Sequence, residues 1–234
     1  MYEAVHAHPD GETTVARFAH TAAEYGYDGI VVRNHGDARA DYDAERIAEA
    51  YDIDVVPGLE IRADDQNQAS GYIGNYRRQY TLLLMHGGSK PLNRFAVEQD
   101  RIDVLCHPMR DRGDFNHVLA KAAAENGVRV EFNLRDVLRK TGGQRVQSLQ
   151  SLRKLRELVE KYDAPYVVSG DPRSHLELRA ARELVALGEA IGFDREQLAD
   201  GLREWGRLAT RNRERESDAF IEPGVRRGRY EETD

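Results

Sequence analysis

The chain has one cysteine, one tryptophan, seven prolines and five lysines among its 234 residues. A single thiol excludes an intrachain disulfide framework and any multi-cysteine metal site. That thiol, Cys106, falls inside the apolar run IDVLC (102–106), which reads as a buried strand rather than a nucleophile's setting. No apolar run approaches the roughly 18 residues that span a bilayer. The opening MYEAVHAHPD lacks the basic start and apolar core of a secretory signal, so the expectation is a cytoplasmic protein with no membrane partner. With no low-complexity tract and no fixed-period repeat, solenoid and linker-rich architectures are also excluded. A basic excess is missing too: 34 Lys plus Arg stand against 41 Asp plus Glu, a formal net charge of −7. That balance counts against a simple electrostatic nucleic-acid binder. The cationic capacity that exists is almost all arginine, whose planar fork suits bidentate phosphate contacts.

What the chain does have is a regular alternation. Short apolar runs (YEAVHA, DGIVVRN, IDVVPGLEI, QYTLLLMHGG, RIDVLCHPM, VRVEFNLR, APYVVSGD) are separated by segments of helical period, or by the polar stretch 64–75. Strand and helix in turn, about seven times over, imply right-handed crossovers and a parallel sheet coated by helices. The count and length favour an α/β fold of the TIM-barrel-like (β/α) type with about seven parallel strands, although periodicity alone leaves an open doubly wound sheet available. In the longest helical segment Leu149, Leu152, Leu155, Val159 and Tyr162 form a stripe for the core, with Arg153, Lys154, Arg156 and Lys161 mostly between them. Residues 1–210 read as one barrel domain, and 211–234 as a polar tail of mixed charge without stable structure of its own.

In parallel α/β folds, chemistry gathers where strands end. The residues at successive strand ends are His6 and His8, then Arg33 and His35, Glu60, His86, His107, Glu131 with Asn133, and Asp171. Side chains two apart on an extended segment share a side, so His6 and His8 can share a metal ion, or else be a local pair without a ligand. Imidazole and carboxylate together suit zinc, manganese or iron. Each residue taken singly also has a plain structural reading; the series of them is what points to a site.

The order HxH, His, Glu, His, His, Asp resembles the polymerase and histidinol phosphatase (PHP) family, a distorted seven-stranded barrel that hydrolyses phosphoesters with up to three metals. The resemblance implies metal ligands at His6, His8, His35, Glu60, His86, His107 and Asp171. Two places depart from it: Asn34 precedes His35 where that family has aspartate, and after Asp171 the nearest histidine is His175 rather than one two residues on.

A more extended resemblance covers residues 103–192. IDVLCHP, DFNHVLAKAAAENGVRVEFNLRDVL, LRKLRELVEKYDAPYVVSGD and RELVALGEAIGF, in that order, are similar to the archaeal ribonuclease P protein component 3 family, counterpart of the eukaryotic thirty-kilodalton subunit. This implies a protein subunit of the ribonucleoprotein that removes the 5′ leader from precursor tRNA. The RNA and its Mg²⁺ would perform the hydrolysis, no residue of this chain would be catalytic, and component 2 would be a protein partner. Arg110, Arg112, Arg135, Arg139, Lys140, Arg145 and Arg173 lie on loops after strands or at helix starts, within reach of a phosphate backbone, or are ordinary surface cations. The alternative function is a free PHP-type phosphoesterase using the His/Glu/Asp cluster.

Overall fold

The computed structural model describes residues 1–110, 115–216, 220–222 and 225–226. Seven parallel strands follow one another around a barrel: β1 (Tyr2–Val5), β2 (Gly29–Val32), β3 (Asp54–Ile61), β4 (Leu82–His86), β5 (Val104–Cys106), β6 (Arg129–Asn133) and β7 (Tyr166–Ser169). The outer helices are α1 (Val15–Glu24), α2 (Ala44–Tyr51), α3 (Gln66–Tyr76), α4 (Lys90–Val97), α5 (His117–Asn126), α6 (Arg135–Arg139), α7 (Gly142–Lys161) and α8 (Ala181–Ile191). Each strand pairs in parallel with the next in sequence, so the barrel reading holds and the open doubly wound order does not. Side-chain caps start the helices after the strand loops: Thr14, Asp43, Asp65, Ser89 and Asn116 each accept from a first-turn N–H.

No strand ladder joins β7 to β1. The seam is closed instead by the Glu3 carboxylate, which accepts from the N–H groups of Ala4 and Gly170, and by the His6 N–H donating to the Pro172 carbonyl at 3.1 Å. Burial pushes the Glu3 carboxyl up to about 8, outweighing the backbone N–H groups of Gly170 and Ala4 that favour its ionised form.

Alternation along the strands sorts the side chains. Val5, Ile30, Val32, Leu59, Ile61, Leu83, Met85, Val130 and Phe132 face outward into a core shared with the helices. Ala4, Val31, Val56, Leu82, Leu84, Val104, Cys106 and Val167 face inward. The long helix α9 (Arg195–Glu216) plugs the end of the barrel opposite the site, laying Trp205, Leu208 and Ala209 against these residues, with the Trp205 indole N–H donating to the Val168 carbonyl at 2.8 Å. Further toward the C-terminal ends of the strands the inward apolar layer gives way to polar side chains, Ala4 to His6, Val31 to Arg33, Leu84 to His86 and Val167 to Ser169.

Two expectations from sequence are corrected. The polar stretch 64–75 contains helix α3; only Ala69 and Ile73 of it are buried, too narrow a stripe to show as periodicity. The domain does not stop at residue 210: α9 runs on to Glu216 because Arg211 and the buried Asn212 bind the Asp103 carboxylate and Arg213 binds Asp54. Beyond it, Phe220–Glu222 and Val225–Arg226 form a small antiparallel pair. The rest of the 211–234 tail lies outside the described residues. No helix among the described residues is long and apolar enough to cross a membrane.

Candidate functional site at the barrel mouth

The inward positions at the strand ends converge as the fold requires. His6, Arg33, His35, Glu60, Glu131 and Asp171 are all essentially buried there, and His86 and His107 stand at the rim. Four imidazoles form an arc, with centroid separations of 4.8 Å for His6 and His35, 5.6 Å for His35 and His86, and 4.8 Å for His86 and His107. His107 and Asp171 both hold left-handed backbone, at φ 49° and 50°, which turns them into the mouth where each strand ends.

Asp10 organises the arc. Its Oδ2 accepts from the Nδ1 atoms of His6 at 2.7 Å and His35 at 2.6 Å, and from the His35 backbone N–H at 3.0 Å. A carboxylate on both Nδ1 atoms leaves both Nε2 lone pairs turned inward, the arrangement found behind metal-binding histidines. The turn that carries Asp10 depends on Gly11, because a Cβ there would lie 1.8 Å from the His6 carbonyl oxygen.

Around those Nε2 atoms stand two carboxylates. His6 Nε2 is 3.0 Å from Asp171 Oδ1 and 3.8 Å from Glu60 Oε2; His35 Nε2 is 3.5 Å from Glu60 Oε1. His107 Nε2 lies 3.8 Å from Glu60 and 3.9 Å from Asp171, and His86 Nδ1 bonds to Glu60 Oε1. His6 Nε2, His35 Nε2 and Asp171 Oδ1 are buried without a hydrogen-bond partner. Three orphaned donor-type atoms facing one another fit a metal ion.

Charge points the same way. Asp10, Glu60, Glu131 and Asp171 carry four negative charges against the one positive charge of Arg33, leaving three in excess while the histidines are neutral. Burial alone would lower the His6 pKa, but Asp171 and Asp10 lift it to about 9, so a proton on His6 offsets part of that excess. Burial would raise the Glu60 carboxyl, yet the Arg33 charge and bonds from His35 and His86 hold it well below the usual carboxylate range. For His107, burial is the largest effect and lowers its pKa.

Arg33 lies at the floor of the cluster. Its guanidinium donates from Nε and Nη2 to Glu60 Oε2 at 2.9 and 2.5 Å and from Nη1 to Glu131 Oε1. Ser169 and the His107 N–H complete the Glu131 carboxylate. Asn34, where the metallohydrolase pattern has aspartate, faces away and clamps the backbone of Ala7 through both its amide atoms.

Of the expected metal ligands, the structure brings together His6, His35, Glu60, His86, His107 and Asp171. It does not bring in His8, which is exposed and belongs to no ligand-type group among the described residues, because the turn at Pro9 and Asp10 carries it outward. His175 is likewise elsewhere, against Thr13. Arg33 and Glu131, read from sequence as strand-end residues but not as ligands, join the cluster, and Asp10 is the contributor not singled out as a site residue from sequence. Arg33 sits two residues beyond the inward Val31, and Glu131 alternates with the outward Val130 and Phe132, a signal present in the strand register; Asp10 has only its place behind HAHP.

Beside the cluster runs a cleft of about 760 Å³, with His107, Glu131, Asn133 and Asp171 at its floor, Arg110, Arg135, Lys140 and Arg173 around it, and Gln144, Gln147 and Ser148 of α7 on the far wall. Arg110 is exposed and donates to His86 Nε2 at 2.9 Å. Arg135 is committed to the Asp171 carbonyl and to Glu177, which Arg139 also holds; Lys140 pairs with Asp136. Arg145 is exposed on the first turn of α7, and Arg112 lies outside the described residues.

Comparison with known proteins settles the family. The family described as RNase P subunit p30 matches residues 1–217. The chain belongs to the RNase P subunit p30 family. It is 62% identical over 226 residues to ribonuclease P protein component 3 of Haloarcula marismortui, covering 97% of this chain and 96% of that one. To the component 3 of Natronomonas pharaonis it is 65% identical, over 97% and 94% of the two chains. The chain is thus a ribonuclease P protein subunit, part of a tRNA-processing endonuclease. In fold it is similar to a chain of a cryo-EM structure of archaeal ribonuclease P with mature tRNA, with a TM-score of 0.83 over all of both chains at 22% identity. The barrel is also similar to a histidinol phosphate phosphatase from Lactococcus lactis solved with zinc, L-histidinol and phosphate, with a TM-score of 0.53 and 13% identity over 82% and 94% of the two chains. That second likeness is one of fold.

Proposed function

We propose that this subunit positions RNA within ribonuclease P, in the cytoplasm, while the RNA component with its Mg²⁺ cleaves the 5′ leader from precursor tRNA. The observation that carries the reading is the cleft at the barrel mouth, where Arg110, Arg173 and Lys140 stand beside the amides and hydroxyl of Gln144, Gln147 and Ser148. Guanidinium, ammonium and neutral donors together suit phosphate and ribose oxygens, contacts that fix register without reading bases. With the whole chain at −7, attraction to RNA is local to such a patch. Arg145, exposed on the first turn of α7, adds a further cation for such contacts. Arg135 and Arg139, both tied to Glu177, shape the wall of the cleft.

His6, His35, Glu60 and Asp171 are the residues that would hold a zinc or manganese ion at the floor, with His86 and His107 at its edge. Such an ion supplies Lewis acidity and, here, a tie between strand ends. A self-sufficient phosphoesterase is the weaker reading, because the chain belongs to the p30 family and His8, one of the ligands that reading calls for, is exposed and outside the cluster. The protein partners are other subunits of the complex, component 2 among them.

The test is reconstitution. Precursor-tRNA cleavage by the RNA and partner subunits is expected to rise when this chain is added, with the chain alone inactive on the same substrate. Cleavage of precursor tRNA or of a simple phosphodiester by the chain alone, abolished by changing His6 and Asp171, would overturn the assignment.

A further inference from the structure

A second cleft, of about 470 Å³, opens beside the first and shares Arg110 with it. Its volume falls among those of small-ligand sites, about 300–1,000 Å³. Helix α3 forms one wall. Gln68, Tyr72 and Tyr76 stand four residues apart on α3, so they share one side of it, and all three line the cleft. The two phenol rings are 6.0 Å apart between centroids and tilted by 33°. Arg39 stands over Tyr76, its guanidinium carbon 5.8 Å from the ring centroid, and adds a cation at the edge of the pair. Neither tyrosine hydroxyl has a hydrogen-bond partner among the described residues.

The charged groups of this cleft are unspent. Arg62, on the loop after β3, is exposed and makes no hydrogen bond or ion pair among the described residues, and the side chains of Asp37 and Asp64 make none either. Gln68 Oε1 accepts from the Asp64 N–H at 2.7 Å, which leaves the amide NH₂ of Gln68 free. Arg110 spends one N–H, on His86. Two cations and two carboxylates around a pair of rings have the composition of a site for a planar group with donors on its edge and an anion attached.

We propose that this cleft takes one unpaired guanosine of an RNA strand, its base stacked on Tyr72 and Tyr76 and its phosphate held by Arg62 and Arg110. Aromatic faces accept any base, and hydrogen bonds to the base edge choose among them. Guanine presents N1–H and N2–H side by side to one carboxylate, the role of Asp37 or Asp64, and its O6 accepts from the Gln68 amide. Uracil offers one N–H between two carbonyls, which the carboxylates repel. The inference rests on the reading of this chain as an RNA-positioning subunit and extends it: a strand in the first cleft reaches the second across Arg110.

The test uses the full chain in the complex reconstituted with its RNA and protein partners, the RNA carrying 6-thioguanosine for part of its guanosine or 4-thiouridine for part of its uridine. Irradiation is expected to join 6-thioguanosine to the α3 segment that carries Tyr72 and Tyr76. The yield should fall about tenfold or more in Tyr72→Ala/Tyr76→Ala, the loss of a stacked base, and stay within about threefold in Tyr72→Phe/Tyr76→Phe. Arg62→Ala should lower the slope of log affinity against log salt by about 0.7, with the melting temperature unchanged. Adducts to α3 from 4-thiouridine as readily as from 6-thioguanosine, or an undiminished yield in the alanine pair, overturn the proposal. Adducts in the first cleft with none on α3 overturn it and leave the RNA-positioning reading standing; adducts in neither cleft overturn both. Should the alanine pair fail to fold, the adduct map of the unaltered chain and the salt slope of Arg62→Ala decide.

Discussion

Replacing Arg33 by methionine removes one cation from the barrel floor and leaves two buried carboxylates, Glu60 and Glu131, without the charge that holds them ionised. Breaking a buried ion pair by deleting one partner costs about 3–5 kcal/mol. In a chain of this length about 1 kcal/mol moves the melting temperature by about 2–4 °C, so Arg33→Met should lower it by roughly 10 °C at pH 7. The loss should shrink on acidification. Burial already opposes ionisation of both carboxyls, and without the guanidinium they take up protons at a higher pH. The triple variant Arg33→Met, Glu60→Gln, Glu131→Gln, which also removes both negative charges, should recover most of the stability. Thermal unfolding followed by circular dichroism, in chelator so that metal plays no part, reads all three proteins. A fall of under 2 °C for the single variant, or a triple variant as unstable as the single one, would refute the account of Arg33 as the counter-charge of the floor.

Glu3 gives a pH prediction of known sign. Its folded-state pKa of about 8 is raised above the unfolded value, so its contribution is complete below about pH 4.5 and is lost as the pH rises toward 8, by about 1.4 kcal/mol per unit at most. Glu3→Gln should therefore flatten the stability profile between pH 5 and 8; an unchanged slope would show that the carboxyl is ionised throughout. Trp205→Ala opens a cavity in the barrel and strips the Val168 carbonyl of its donor, for a loss of about 3–5 kcal/mol in chemical denaturation. In the reconstituted complex, Arg173→Ala should reduce the slope of log affinity against log salt by about 0.7–0.9, one phosphate contact. Arg135→Ala should instead lower the melting temperature with little change in that slope, because its guanidinium is spent on Glu177 and the Asp171 carbonyl.

The strands were legible because each is a short apolar run, and the leucine stripe of α7 because Leu152, Leu155 and Val159 are buried at helical spacing. Helix α3 was hidden because Gly71 and Gly74 interrupt a helix that buries only Ala69 and Ile73. The end of α9 was hidden because charged residues there act as ties: Arg211 to Asp103 and Arg213 to Asp54 are contacts with residues more than a hundred positions away. At the mouth, strand-end histidines and acids could be read in order, but not which way each side chain turns. His6 is inward by strand alternation, while the turn at Pro9 and Asp10 takes His8 out of register. Arg33 reads in sequence as a strand-end residue, but not as the buried partner of Glu60 and Glu131.

The claim on which the account turns is that RNA lies in the cleft beside the metal-type cluster. A photo-cross-linker placed at Gln144 or Ser148 of this chain, in the complex reconstituted with its RNA and protein partners, tests it directly. Adducts to RNA, suppressed as salt rises, are the predicted result. Adducts to partner proteins alone, with none to RNA from either position, would contradict it.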